Sequence, residues 1–332
     1  MSAPLVSVVI PCHNEENSVR ECVESFLKQT YPNIEIIVVD DCSTDKTPII
    51  LQELKRKGNN IRVFRNSSNK GEGYSRSFGI KVAKGDIIIE AECDGKYSPD
   101  YVEKMITPLL NDKNVGGAIP GRRIVWSDKD DILVRYWNKR FFAAHLLTLE
   151  GKRPIIGAWA FRRDVFDEVG LYDETLPCGT DVDLVNRIKR RGYKIAFVPD
   201  ACFYHRDPDT FKKLIKRIWW GAIKCKKFRE RWGLEPKGFK KLFFIGRNIS
   251  ALLLPVYPVL ALIHNILWLL IFFGVFFAES MFPIIYDREL RLTFKLALKD
   301  RDYKLALAMP FICWVEIRTR ALGIFYAMLK GE

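Results

Sequence analysis

Four short runs at the start of the chain, residues 6–10, 34–39, 61–64 and 87–89, constrain the fold more than any other feature. Each is mostly apolar and rich in Val and Ile, which suits a strand buried on both faces. Between them lie helix-periodic segments, residues 17–29, 44–56 and 74–82, whose apolar sides carry Val19, Val23, Phe26 and Leu27, then Ile49, Ile50 and Leu54. Strands joined this way form a mostly parallel sheet with helices on both faces. Ligands of such sheets bind beyond the carboxyl ends of the strands.

Those ends are chemically unusual. The first delivers Pro11, His13 and Glu15, and the second Asp40 and Asp41 followed by Ser43 and Thr44. The fourth runs into Glu90, Ala91, Glu92 and Asp94. Carboxylates massed at the end of a buried strand are costly unless they hold a cation or face solvent. Extended backbone continuing to Glu92 would set Glu90 and Glu92 on one side. A solvated acidic turn competes with the cation reading. The glycine fingerprint of dinucleotide folds does not follow the first strand, and the phosphate-loop lysine motif does not occur. Asp41 suits a base imide or a ribose hydroxyl, or else a turn. The run Asn69-Lys70-Gly71-Glu72-Gly73, with Arg76 close behind, offers backbone amides and cations to a diphosphate.

The chain has 332 residues and a formal charge of +13, with the basic residues crowded beside a very apolar C-terminal region. That distribution points to a membrane surface and away from nucleic acid. The eight cysteines show neither close pairing nor zinc spacing and read as reduced. The apolar run at residues 5–10 is short for a signal peptide, so the first domain is expected in the cytoplasm. Between Arg247 and Glu279 there is no charged residue. One span needs about 20 residues, so a helical hairpin over about 243–286 accounts for the length and for the polar His264-Asn265 point. A re-entrant hairpin or one long tilted span satisfies the same pattern. Lys237, Lys240, Lys241 and Arg247 before it and Arg288, Arg291 and Lys295 after it put both ends on the cytoplasmic side. Apolar-basic segments over about 288–329 read as interfacial helices. The expected domains are therefore 1–232, catalytic, and 233–332, membrane-associated.

Three motifs in order carry a resemblance: Val8-Val-Ile-Pro-Cys-His-Asn-Glu-Glu, Val38-Val-Asp-Asp-Cys-Ser-Thr-Asp and Asn69-Lys-Gly-Glu-Gly-Tyr-Ser-Arg-Ser-Phe-Gly. Together they resemble the family 2 glycosyltransferases. The resemblance implies an α/β GT-A fold, with a Rossmann-like mixed sheet that binds a nucleotide-diphospho-sugar. It places the nucleotide on Pro11, His13, Glu15 and Asp41, with Lys70, Gly71 and Arg76 near the diphosphate. The family's Asp-x-Asp metal motif falls on Glu90-Ala91-Glu92, with glutamate at both acidic places. Mn2+ or Mg2+ is then expected on Glu92, with Asp94 and a late histidine, His205. The catalytic base falls on Asp181, where Thr180 replaces the family's glutamate. Thr180 and Asp183 also read as a helix capping box. Gly157 and Trp159 match the acceptor floor. Arg122, Arg123, Arg206 and Arg217 would hold a lipid phosphate if the acceptor were a polyprenyl phosphate. The implied activity is inverting transfer from a UDP- or GDP-sugar to a hydroxyl of a lipid-linked or membrane-proximal glycan, on the cytoplasmic side of the cell membrane. A polyprenyl-phosphate (dolichyl-phosphate) glycosyltransferase and a catalytically idle membrane scaffold are the alternatives.

Overall fold

A computed structural model describes residues 3–152, 159–176, 178–224, 274–275, 277, 280–281 and 283–330. The chain divides into two compact units, residues 1–126 with 145–206, and residues 127–144 with 207–332. The domain boundary expected near 232 lies outside the described residues, as does most of the expected hairpin.

The first unit is a mixed sheet between helices. Its strands are β1 (Val6–Cys12), β2 (Ile34–Asp40), β3 (Ile61–Arg65), β4 (Ile87–Glu90), β5 (Gly95–Tyr97), β6 (Val115–Val125), β7 (Ala160–Arg162) and β8 (Lys194–His205). Among the described residues they form one sheet in the order β3-β2-β1-β4-β7-β6-β8-β5. The first four strands pair in parallel, as the apolar runs require. The sheet then turns mixed, because β7 is antiparallel to β4 and β6, and β5 is antiparallel to β8. β5, three residues long, is not visible as a hydrophobic run, whereas β7 falls at the end of the apolar stretch 155–161.

Side-chain alternation sorts β1 between two cores. Val6, Val8 and Ile10 pack with Val19, Phe26 and Tyr101 on one face. Val9 packs with Ile37, Val39, Ile88 and Phe161 on the other. The helices over these faces include α1 (Val19–Leu27), α2 (Thr47–Lys55), α3 (Glu72–Val82), α4 (Tyr101–Asn111), α6 (Arg163–Val169) and α7 (Thr180–Arg190). Helix α5 (Ile132–Leu149) begins in the second unit.

In the second unit, α5 contributes Leu133 and Tyr136 to a separate core. The partners are Leu214 of α8 (Phe211–Lys224), Leu290 of α9 (Arg288–Lys299), and Leu305, Met309 and Ile312 of α10 (Tyr303–Lys330). A polar network lies alongside, in which Arg140 donates to Glu289 (2.8 Å) and to the Tyr136 hydroxyl (2.9 Å). The two tail segments expected to be helical are so. Among the described residues no helix is long and apolar enough to cross a membrane.

Helix α3 lies unusually close to the sheet. A Cβ at Gly79 would sit 2.3 Å from Val9 Cγ1 and 3.4 Å from Val39 Cγ2, both on buried strands. Overpacking of this kind costs about 1–3 kcal/mol, against up to about 1 kcal/mol gained from alanine's helix propensity. Gly79→Ala is therefore expected to lose about 1–2 kcal/mol in urea unfolding, and an unchanged midpoint would contradict this packing.

Candidate active site

The loops at the carboxyl ends of β1, β2 and β4 meet at one cleft of about 330 Å3, lined by Pro11, His13, Glu15, Asp41, Glu92, Asp94 and His205, among others. Its first wall is built by hydrogen bonds. Asn14 and Cys42 both take left-handed backbone conformations (φ 58° and 60°), bending the two loops back on each other. His13 Nδ1 donates to the Asp41 carbonyl at 2.8 Å, and His13 Nε2 then accepts from the Asn14 and Asn69 amides at 3.1 and 3.2 Å. The Asp41 carboxylate accepts from Asn66 (2.7 Å) and from the backbone N–H groups of Lys70 (2.9 Å) and Gly71 (2.8 Å). Asp41 thus fixes the Lys70-Gly71 turn as well as lining the cleft. Gly71, with φ 90°, caps α3 in a conformation that a side chain would strain. The Lys70 ammonium rests over the Tyr74 ring, 4.4 Å from its centroid. Burial raises the Glu15 carboxyl above its usual range, with a bond from Ser18 (2.5 Å) pulling it back.

The opposite wall depends on a turn between β4 and β5. β4 ends at Glu90, so the extended geometry that would have set Glu90 and Glu92 on one side does not persist. Glu90 is buried and accepts from Arg76 (3.0 Å) and from the Tyr172 hydroxyl. Burial pushes its carboxyl up to about 7, against the pull of Arg76 and Tyr172. Arg76 also pairs with Glu72, so its guanidinium is committed within the protein.

Glu92 turns the other way. Its backbone N–H donates to Tyr97 Oη at 2.8 Å, and its carbonyl accepts from Gly95 N at 3.0 Å. Tyr97 is itself locked in an aromatic stack with Phe26, Tyr101 and Phe203. The β5–β8 ladder then places His205 opposite Gly95. His205 Nε2 lies 2.5 Å from Glu92 Oε2 and 3.1 Å from Asp94 Oδ1. Between Glu92 and Asp94, the Cys93 side chain turns into the core and lies against Cys12.

Donor atoms of Glu92, Asp94 and His205 all fall within 4.8 Å of one another. Burial would raise the Glu92 carboxyl, but His205, Arg123 and Arg76 outweigh it and hold it at about 2. Glu92 Oε2 is buried and, despite its short separation from His205 Nε2, makes no well-formed hydrogen bond among the described residues. Two carboxylates and an imidazole, one oxygen lacking a donor, fit a divalent cation of the Mn2+ or Mg2+ kind.

The other expected residues are dispersed. Asp181 stands in the first turn of α7, near Arg76 and Glu72, and is not among the residues lining the cleft. Gly179 in left-handed conformation is the cap of this helix, and Thr180 makes no side-chain cap bond, so the capping box does not form. Asp183 bonds instead to Arg187 one turn on (2.9 Å). Trp159 bridges strands, donating to Ala118 O (2.7 Å) and accepting from Glu90 N (2.8 Å), with its ring 4.5 Å from Phe203. Gly157 lies outside the described residues. Arg122 is exposed. Arg123 donates to His205 Nδ1 at 2.9 Å. Arg206 stacks over Trp126 and bonds Asn17 O at 3.0 Å. Arg217 belongs to the second unit, where it pairs with Asp207 at 2.8 Å. Tyr97, Tyr172 and the Arg123–His205 contact have no local signal in the sequence, since each works through a partner distant in the chain or through a short, featureless strand.

Comparison with known proteins places this geometry. Residues 7–170 match the model of glycosyl transferase family 2. The probable glycosyltransferase YdaM of Bacillus subtilis is 30% identical over 229 residues, 65% of this chain and 53% of that protein. The chain thus spans about half, or less, of the length of the first curated relatives it matches. A Methanococcus voltae protein, named dolichyl N-acetyl-alpha-D-glucosaminyl phosphate 3-beta-D-2,3-diacetamido-2,3-dideoxy-beta-D-glucuronosyltransferase, is 25% identical over 98% of both chains. In fold, the chain is similar to the mannosyltransferase PcManGT of Pyrobaculum calidifontis, solved with GDP-Man and Mn2+, with a TM-score of 0.58 at 18% identity. That similarity covers 100% of this chain and 89% of the other.

Replacing Glu92 by Gln removes one anionic donor from the cluster. Hydrogen bonds to charged groups are worth about 1.5–3 kcal/mol, so Mn2+ affinity, read by paramagnetic resonance, is expected to fall about 10–100-fold. Glu90→Gln is expected to leave that affinity nearly unchanged, since its carboxylate is held by Arg76 and Tyr172.

Proposed function

Since residues 7–170 make this chain a member of glycosyl transferase family 2, we propose that it moves a sugar, with inversion, from a UDP- or GDP-linked donor to a hydroxyl of a lipid-linked or membrane-proximal glycan. The observation that carries the reading is the meeting of Glu92, Asp94 and His205 on the cleft whose other wall is Pro11, His13 and Asp41. The Asp41-fixed turn at Lys70-Gly71 receives the nucleotide side of the donor, with backbone geometry set before any ligand arrives. Glu92, Asp94 and His205 hold Mn2+ or Mg2+, which when bound offsets the charge that develops on the departing diphosphate. Asp181 takes the proton from the acceptor hydroxyl as its oxygen attacks the anomeric carbon. Burial raises the Asp181 carboxyl above the usual aspartate range, with Arg76 pulling it back, which moves it toward the working range of a general base.

The acceptor class is supported by the Methanococcus voltae relative, whose name describes transfer to a dolichyl-linked N-acetylglucosaminyl phosphate. A sugar hydroxyl on a lipid carrier needs a base, and an already ionised polyprenyl phosphate does not. The uncharged stretch 248–278 and its flanking Lys and Arg residues support a position at the cytoplasmic face of the cell membrane.

The test is a panel of UDP- and GDP-sugars offered with Mn2+ and lipid-linked acceptors. Asp181→Asn is expected to lower kcat by about 10^2–10^4-fold while donor binding persists. The base acts ionised, so the rate falls as pH drops through its raised pKa. The acid limb of kcat is therefore expected above the ordinary aspartate value and absent from Asp181→Asn. Near-normal transfer by that variant to a polyprenyl phosphate would reverse the acceptor assignment, and no binding of any donor would defeat the enzyme reading.

A further inference from the structure

Asp41 meets the cleft with most of its hydrogen-bonding capacity already filled. A carboxylate offers about four lone-pair positions. Oδ1 accepts from Asn66 Nδ2 (2.7 Å) and from the Lys70 N–H (2.9 Å), while Oδ2 accepts from the Gly71 N–H (2.8 Å). One position remains, on Oδ2.

Ser75 stands close to it, in the first turn of α3. Asn66 Nδ2, the nitrogen bonded to Asp41, also donates to Ser75 Oγ at 3.0 Å. Ser75 is buried and lines the same cleft, yet its hydroxyl proton has no acceptor among the described residues. Buried polar groups ordinarily find partners. The wall therefore presents one vacant acceptor position and one uncommitted donor, both held by the same amide nitrogen.

Their place in the sheet says which part of a nucleotide they meet. Asp41 follows β2 and the Glu92–Asp94–His205 cluster follows β4, with β1 between those strands. Two strand spacings are about 9–10 Å. With the diphosphate at the cluster, the outer end of the nucleotide, its base, falls at Asp41 and Ser75.

We propose that Ser75 and the last open position on Asp41 select uracil, so that the donor is a UDP-sugar rather than a GDP-sugar. Uracil carries one imide N–H between two carbonyls. The N–H donates to Asp41 Oδ2, and the Ser75 hydroxyl donates to the adjoining carbonyl. Cytosine has a lone pair in place of the imide proton and would set it against the carboxylate. Guanine adds an exocyclic amine beside its imide N–H, and Asp41 has no second position for it. The inference rests on the nucleotide-sugar reading above and chooses between its two donor classes.

The experiment titrates the full chain calorimetrically with UDP, CDP and GDP in the presence of Mn2+. UDP is expected to bind about 10–100-fold more tightly than either, the effect of one buried group left unpaired. N3-methyl-UDP, which lacks the imide proton, is expected to lose a similar factor. These measurements need no variant and decide the matter whether or not Ser75→Ala folds. Ser75→Ala is expected to weaken UDP about 3–10-fold and to narrow its lead over CDP. Equal weakening of both nucleotides would mark Ser75 as merely structural and overturn its part in selection. GDP or CDP bound as tightly as UDP, or N3-methyl-UDP bound as well as UDP, would overturn the base assignment and leave the glycosyltransferase reading standing. Binding of none of these nucleotides would instead bring down the nucleotide-sugar reading beneath it.

Discussion

The three-residue ladder between β5 and β8 is the constraint on which the site depends. It joins a turn near residue 95 to a strand end near residue 205, and each side supplies part of the donor set. A strand this short has little pairing energy of its own. Its hold comes from Tyr97, whose ring packs among Phe26, Tyr101 and Phe203 while its hydroxyl ties the backbone of Glu92. The same side chain thus secures the core and sets the carboxylate turn. Loops positioned by a rigid scaffold in this way lose little freedom when a ligand arrives.

Partners, rather than residue type, decide what each carboxylate does. Glu90 and Glu92 are two residues apart, yet one is committed to an internal arginine and a tyrosine and the other faces the cleft. The buried Arg76–Glu90 pair keeps a charged couple inside the sheet region without leaving either charge alone. Asp181 shares that electrostatic neighbourhood from the first turn of α7. Glu92 on the cleft and Asp181 on α7 are therefore linked electrostatically through Arg76, which does not itself line the cleft.

The parallel half of the sheet is legible because a strand buried on both faces must be apolar along its length, and Val6–Cys12 and Ile34–Asp40 are nearly so. Of the antiparallel additions, Gly95–Tyr97 is too short to show a period, while Ala160–Arg162 follows from the apolar stretch 155–161 that leads into it. The acidic cluster with His205 could be picked out from residue types at strand ends together with the family motifs. The separation of Glu90 from Glu92 could not, because it depends on where β4 stops and on Tyr172, 82 residues away. Thr180 illustrates the converse. Its spacing to Asp183 satisfies a capping box, but Gly179 in left-handed backbone takes the cap and starts the helix one residue earlier than that motif needs.

Cys93 sits in the turn between the two carboxylates, buried in the core cluster with Cys12 and Cys22 at the floor of the cleft. Burial raises the Cys93 thiol far above its ordinary range, and the contact with Cys93 does the same to Cys12. A thiol that stays protonated is a poor ligand even for thiophilic ions. The two thiols reach the cleft as neutral, buried groups, and the clustered donors are the oxygens of Glu92 and Asp94 and the His205 imidazole.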